Sequence, residues 1–264
     1  MDVIKDFLVH LRAGGASPAT IRTRRYYLYR TARTVDLLGA KPKDLEKFIG
    51  SHNWGNETAR SARSTLTTFY AWLYDTGQIP SNPARNLPVI REKPPNPHPL
   101  PEDEYARLLR IVPGRWLPAV RLAGEAGLRR GEIAKVCRDD LFKDLLGWTI
   151  TVHGKGGRER YVPLNNSLAA LLLRHFKTEF WLYPSRSFSG HITEDYIAKR
   201  VSSYLPPRWS THSLRHRFAT VIYASSRDIR AVQVLLGHAN LNTTQRYVAM
   251  PKDRLREVAN MAAA

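Results

Sequence analysis

A single cysteine, Cys137, in 264 residues excludes a disulfide scaffold and a cysteine-rich zinc module. No apolar run approaches the roughly 20 residues that span a bilayer. The opening Met1-Asp2-Val3-Ile4-Lys5-Asp6 is too acidic and too amphipathic for a signal peptide. Internal repeats and low-complexity tracts are absent too. Acidic residues are scarce: 23 Asp+Glu stand against 41 Lys+Arg, a formal net charge of +18. The candidate carboxylate pairs, Asp139-Asp140 and Glu194-Asp195, read as solvated surface acids rather than a metal cage, because adjacent side chains do not share a helix face. These absences point to a reducing, cytosolic compartment, to no membrane, and away from a metal site held by clustered carboxylates.

What is present is a folded basic protein. Hydrophobic residues make up 43% of the chain, too many for a basic disordered tail. Residues 1–96 hold 15 basic and 8 acidic side chains, net +7, and the rest hold 26 and 15, net +11. Positive charge spread over both halves suits a grip on phosphates along an extended duplex.

Five prolines lie in residues 91–101. Such a run is neither helix nor central strand and favours extended polyproline II, so residues 91–100 are expected to link two domains, 1–90 and 101–264. Before the linker the pattern is helical. Val3, Ile4, Phe7, Leu8 and Leu11 share one face until Gly14-Gly15, and Ser17-Pro18 caps a helix expected to run to about Leu37. In that helix arginines and tyrosines are interleaved, with the rings expected to pack inward and the arginines to stay wet. Short and long helices are expected at Lys43–Ile49 and from Asn56 to about Asp75.

After the linker the pattern is mixed. Helices are expected at Pro101–Ile111, Trp116–Ala126, Gly131–Val136, Ser167–Phe176, Thr193–Ser203, Thr211–Ser225, Ile229–Leu236 and Lys252–Met261. Trp148–Val152 and Arg160–Leu164 read as a hairpin around Gly154-Lys155-Gly156-Gly157. The fold class is α+β, mostly α: an all-α first domain, then a mainly helical one with a small antiparallel sheet.

Metal-free phosphodiester chemistry needs fixed positive charge on the non-bridging oxygens, a nucleophile and a proton donor for the leaving oxygen. His212-Ser213-Leu214-Arg215 opens a predicted helix, and the i, i+3 spacing puts His212 and Arg215 on one face, where both converge on one phosphate. Alone, this pattern also fits a capping histidine beside a surface arginine. Its company is more specific: Gly127-Leu128-Arg129-Arg130-Gly131-Glu132, then the Lys155 turn, then His212 to Thr220, then Leu235-Leu236-Gly237-His238, and Tyr247 nine residues later.

This order and spacing resembles the tyrosine recombinase (phage integrase) family over nearly the whole chain. The resemblance makes residues 1–90 a core-binding (SAM-like) domain and 101–264 the catalytic domain. It makes Tyr247 the nucleophile; at an unperturbed pKa near 10 only about 0.1% of a phenol is ionised at pH 7, so it needs help. Arg129 and Arg215 would clamp the phosphate, each with two parallel hydrogen bonds. His212 would assist proton movement, His238 would bond a non-bridging oxygen, and Lys155 would protonate the 5′-leaving oxygen. Glu132 would orient its neighbours.

The implied activity is site-specific recombination of integration or excision type, through a 3′-phosphotyrosyl bond and a Holliday junction, independent of ATP and metal. The implied partners are double-stranded DNA with an inverted-repeat core site, four copies of the chain on that DNA, and an accessory DNA-bending or directionality factor. The implied location is the nucleoid. Alternatives are a dimer-resolving recombinase of Xer type, a type IB topoisomerase, which the compact two-domain layout disfavours, and a non-catalytic sequence-specific DNA-binding protein. Since the first helical domain starts near residue 1, no arm-binding domain is expected. Lys252–Met261 is expected to dock on a neighbouring protomer. Arg130 reads as a DNA or surface contact, His216 as structural and facing elsewhere, and Cys137 as a small core residue. Tyr161 and Tyr204 compete only weakly with Tyr247.

Overall fold

The computed structural model describes residues 2–92, 97–154, 157–186 and 189–238. The chain divides into two compact units between Pro94 and Pro95. The first unit holds four helices: α1 (Val3–Ala13), α2 (Pro18–Thr31), α3 (Pro42–Gly50) and α4 (Asn56–Asp75). Ser17 caps α2, its side chain accepting from the Thr20 N–H, with Pro18 in the first turn. The apolar faces meet around Phe7, Leu28, Leu45, Leu66, Phe69 and Leu73, none of them more than marginally exposed. Phe7 meets Phe69 edge-on at 5.2 Å between ring centroids, a favoured aromatic arrangement.

Two expectations for α2 are corrected. The helix stops at Thr31 rather than near Leu37. The Thr31 hydroxyl donates back to the Tyr27 carbonyl at 2.9 Å, and the Thr34 and Val35 amides both converge on Thr31 O at 3.0 Å. Those bonds coil the chain into turns, and Leu37 drops into the core. Nor do the tyrosines all pack inward. Tyr27 is 7% exposed, but Tyr26 is 55% and Tyr29 41% exposed, because only position 27 falls on the stripe shared with Leu28 and Thr31. Arg24 instead turns inward, donating to Thr65 at 3.1 Å and Ser64 at 3.0 Å.

The second unit contains α5 (Glu102–Ile111), α6 (Leu117–Glu125), α7 (Arg130–Ile133), the strands β1 (Leu141–Lys143), β2 (Trp148–His153) and β3 (Glu159–Leu164), then α8 (Asn166–His175), α9 (Glu194–Ser202), α10 (Thr211–Ser226) and α11 (Ile229–Leu236). The sheet is an antiparallel β1-β2-β3 meander with Ile150 opposite both Leu141 and Val162. It joins a core built on α6, α8 and the start of α10, including Val120, Ala123, Ile150, Val162, Leu172 and Leu214. Tyr183 lies within it, stacked on Trp116 at 5.0 Å and accepting the Ala119 N–H through its hydroxyl at 3.0 Å. Among the described residues no helix is long and apolar enough to cross a membrane.

Several local readings change. The helix expected over Gly131–Val136 is a single turn, α7, because the Lys135 and Val136 amides bond three residues back. The Val136 carbonyl then accepts Leu182 N–H at 2.9 Å and draws the chain into a bridge between Cys137 and Trp181. Cys137 is accordingly half-buried rather than core. Strand β1, three residues long, gave no alternation to read. Asp140 is no surface acid: it is 4% exposed, accepts the Cys137 N–H at 2.9 Å and pairs with His153 at 2.7 Å. Asp195 is exposed beside Arg130 at 3.4 Å.

Candidate functional site

The site grows from three chain turns in the second unit. The first is the bend before α7. Gly127 has φ +67°, and a Cβ there would stand 2.5 Å from the Phe218 ring, so the bend accepts only glycine. Arg129 follows in extended conformation, and Glu132 folds back onto it. One Glu132 oxygen takes the Arg129 amide at 2.8 Å, and the other takes Arg129 Nη1 at 2.8 Å.

The second turn is the start of α10, capped by Ser210, whose side chain accepts the His212 N–H at 3.2 Å. His212 and Arg215 lie in its first turns. Arg215 is wholly buried. It donates through Nη1 to the Gly127 carbonyl, and through Nη2 to the Leu236 carbonyl at 2.7 Å. His238 Nε2 stands 3.0 Å from Nη2. A guanidinium only donates, so Nε2 of His238 is the acceptor and the ring proton sits on Nδ1.

The third turn ends α11. Gly237, with φ +64°, closes the helix in left-handed conformation. His238 N–H then returns to the Gln233 carbonyl at 3.1 Å, while Gln233 Nε2 donates to His238 O at 2.9 Å. This double tie buries His238 beside Arg215.

The electrostatics favour an anion. Glu132 is ionised: burial alone would raise its pKa, but the hydrogen bonds and charge of Arg160, the Arg129 amide and Arg215 outweigh it and bring the value down to about 2. His212 keeps an exposed edge, but partial desolvation and the charges of Arg215, Arg129 and Arg130 lower its pKa to about 4. Burial, Arg215, Arg129 and Arg160 lower His238 to about 3, against the pull of Glu132. Both histidines are therefore neutral at pH 7. Among the described residues three arginines, the half-exposed Arg129 and the more deeply buried Arg160 and Arg215, surround the Glu132 carboxylate, an excess of positive charge. Unbalanced buried charge is costly unless an anion completes it. Among the described residues no cluster suits a metal ion.

The structure thus brings together Arg129, Glu132, His212, Arg215 and His238, which lie up to 109 residues apart in the chain (238 − 129). Lys155, Tyr247 and the expected helix Lys252–Met261 lie outside the described residues. His216 does not face away from the site. It is buried, accepts the His98 N–H through Nδ1 at 3.1 Å, and packs edge-on against His212 at 4.8 Å. Sequence reasoning missed Arg160, which forks onto both Glu132 oxygens at 2.9 and 2.8 Å. A signal existed: strand alternation puts Arg160 on the face of Val162 and Leu164, and a charge pointing inward from a strand needs a partner.

An arginine cradle around the buried Arg215, in a basic chain of two compact units, suits the handling of phosphodiesters. The phage integrase family model matches residues 99–254, and the chain belongs to that family, as a tyrosine recombinase. It is similar over 97% of its length to the tyrosine recombinase XerC of Chromobacterium violaceum, at 31% identity covering 93% of that protein. It is 31% identical to XerA of Thermococcus kodakarensis, covering 99% of this chain and 95% of that one. Its fold resembles that of a lambda integrase dimer bound to a COC′ core site, with TM-score 0.76 at 17% identity over 94% of each chain. It also resembles XerH bound to palindromic difH substrate, with TM-score 0.70 at 21% identity over 93% of this chain and 78% of that one.

Proposed function

We propose that this recombinase cuts and rejoins duplex DNA at a specific site through Tyr247. The observation that supports this best is Arg215, fully buried and held by two carbonyls and a neutral histidine, with the Glu132 carboxylate 3.8 Å away. Arg129 and Arg215 bind the non-bridging oxygens of the scissile phosphate, where charge grows in the transition state. The Tyr247 oxygen attacks phosphorus, and its proton leaves with help from His212. The bond to the 5′-oxygen breaks, and Lys155 gives that oxygen its proton. His238, its Nε2 committed to Arg215, has Nδ1–H as its donor. The 3′-phosphotyrosyl bond conserves the phosphodiester energy, so a 5′-hydroxyl from another strand reseals it and returns the phenol without ATP. Two rounds, through a Holliday junction, recombine two duplexes on four protomers.

In this reading residues 1–90 bind the core site, 91–100 link, and 101–264 catalyse. The DNA carries an inverted-repeat core site, and an accessory DNA-bending or directionality factor assists. A second reading within the same chemistry is dimer resolution of Xer type rather than integration and excision. The Xer relatives that match nearly the whole chain support it.

The test is denaturing capture of covalent protein–DNA adducts, without metal, from fragmented genomic DNA with wild type and Tyr247→Phe. Adducts with wild type alone are expected, and the captured sequences separate the two readings: a chromosomal dimer-resolution site or a mobile-element junction. Equal adducts with the Phe variant would displace Tyr247 as nucleophile. Binding without adducts in either would favour a non-catalytic DNA-binding protein.

A further inference from the structure

Arg160 is held in the middle of the site by three side-chain hydrogen bonds, and no step of the cleavage needs it at the phosphate. Its side chain is 10% exposed. Nη1 and Nη2 reach the two Glu132 oxygens at 2.9 and 2.8 Å, and Nε donates to the Leu235 carbonyl at 2.8 Å. Its stem lies against the end of α11, where a Cβ on Gly237 would meet Arg160 Cδ at 2.8 Å.

Each Glu132 oxygen consequently receives two donors. Oε1 takes Arg129 Nη1 and Arg160 Nη1; Oε2 takes the Arg129 amide and Arg160 Nη2. A carboxylate oxygen has about two acceptor sites, so the four donors fill the group. Arg215 Nη1 stands 3.8 Å from Oε2, outside hydrogen-bond range.

We propose that Arg160 is a positioning residue for strand cleavage: it saturates Glu132, so that the carboxylate does not pull the Arg215 guanidinium off the phosphate, and it pins the end of α11 that presents His238. This inference rests on the recombinase reading. Without Arg160, the opened acceptor sites on Glu132 draw Arg215 closer, and a tighter Arg215–Glu132 pair forms at the expense of the clamp. A displacement of about 1 Å in a catalytic group is enough to cost on the order of 100-fold in rate. Lysine cannot replace the fork, because an ammonium does not bridge two carboxylate oxygens and a carbonyl with fixed planar geometry.

The experiment follows adduct formation on a DNA fragment that wild type captures. It uses full-length wild type, Arg160→Met, Arg160→Lys and the double variant Arg160→Met/Glu132→Gln, with DNA affinity and melting temperature measured alongside. Both single variants are expected to bind DNA as wild type does and to cleave about 100-fold more slowly. The double variant is expected to cleave about tenfold faster than Arg160→Met, since a neutral amide competes poorly for Arg215. Arg160→Met is also expected to regain rate relative to wild type as pH falls from about 8 to about 5, where a carboxyl deprived of its fork takes up a proton. A merely structural arginine would show neither rescue. Wild-type rates in the single variants, or a double variant no faster than Arg160→Met, would overturn the proposal. If Arg160→Met melts below the assay temperature, Arg160→Lys with and without Glu132→Gln decides the same question. If wild type itself forms no adduct, the recombinase reading falls, and the role of Arg160 with it.

Discussion

Two basic helices, one in each unit, use arginine in opposite ways. On α2, Arg22 and Arg25 stand in solvent and Arg24 leans on hydroxyls of α4. On α10, Arg215 is fully enclosed and Arg217 nearly so, donating to the Gly124 carbonyl at 2.7 Å and lying 3.8 Å from the centre of the Tyr105 ring. An exposed guanidinium costs nothing to keep and suits diffuse attraction to phosphates. A buried one is costly to keep and calls for fixed acceptors and a nearby counter-charge. Composition shows positive charge in both units; the cost of burying it shows which arginine is built into a site.

The sharpest break of that contrast is Arg215→Lys. The ammonium keeps the charge but cannot reach the Gly127 and Leu236 carbonyls while clamping phosphate. Adduct formation at saturating DNA is expected to fall by about 10²–10³-fold, the scale for losing one preorganised donor to a transition-state oxyanion, with DNA affinity little changed. Cleavage within tenfold of wild type would mean that burial does not mark the catalytic arginine.

Arg22→Ala/Arg25→Ala on α2 should do the reverse. Affinity is expected to weaken, and the slope of log K against log salt to flatten by about 1 for each phosphate no longer neutralised. Cleavage at saturating DNA is expected to stay as in wild type. An unchanged salt slope would remove α2 from the DNA-facing surface.

Acid separates the units more gently. His216 and His238, both buried, are held below their ordinary value of 6.5, to about 4 and about 3, burial being the first cause in each. They stay neutral in the folded protein while the unfolded chain takes up protons, so the second unit loses stability as pH falls from about 6.5 toward 4. Glu132, lowered from 4.5 to about 2, stabilises the fold above 4.5 and loses that contribution as pH falls toward 2. Hydrogen exchange in α10 and α11, corrected for intrinsic rates, is expected to show protection dropping across both windows. Flat protection from pH 7 to 4 would contradict neutral histidines at the site.

The helical boundaries were largely legible, because caps and periodicity are local: α4 and α11 begin and end where their patterns do. The site was legible as a set of residue types in order. Its organisation was not, because it depends on contacts such as Arg160 to Leu235, 75 residues apart. The short β1 and the one-turn α7 escaped for a related reason. Each is shaped by its partner, β2 for the first and the Val136–Leu182 bond for the second, and three or four residues are too few to show a period. Asp140 was misread because its histidine partner comes from a neighbouring strand, which no local pattern announces.

The smallest expected effect lies within α2, where sequence reasoning treated three tyrosines alike. Tyr27 is buried with its ring 5.8 Å from Trp54 in edge-on contact, so Tyr27→Ala removes a packed aromatic and is expected to cost about 3 kcal/mol or more. Tyr26 and Tyr29 bury little, their hydroxyls meeting Arg30 at 2.7 Å and Asp2 at 3.2 Å at the surface. Alanine at either is expected to change stability by no more than about 0.5 kcal/mol. Urea unfolding of the three variants measures both numbers, and DNA affinity of the same proteins gives the outer rings their meaning. If Tyr26→Ala and Tyr29→Ala leave stability intact but weaken binding, the exposed rings work alongside the wet arginines of α2. If they leave both intact, the mixture of arginine and tyrosine on that helix reflects only which residues a solvated face tolerates.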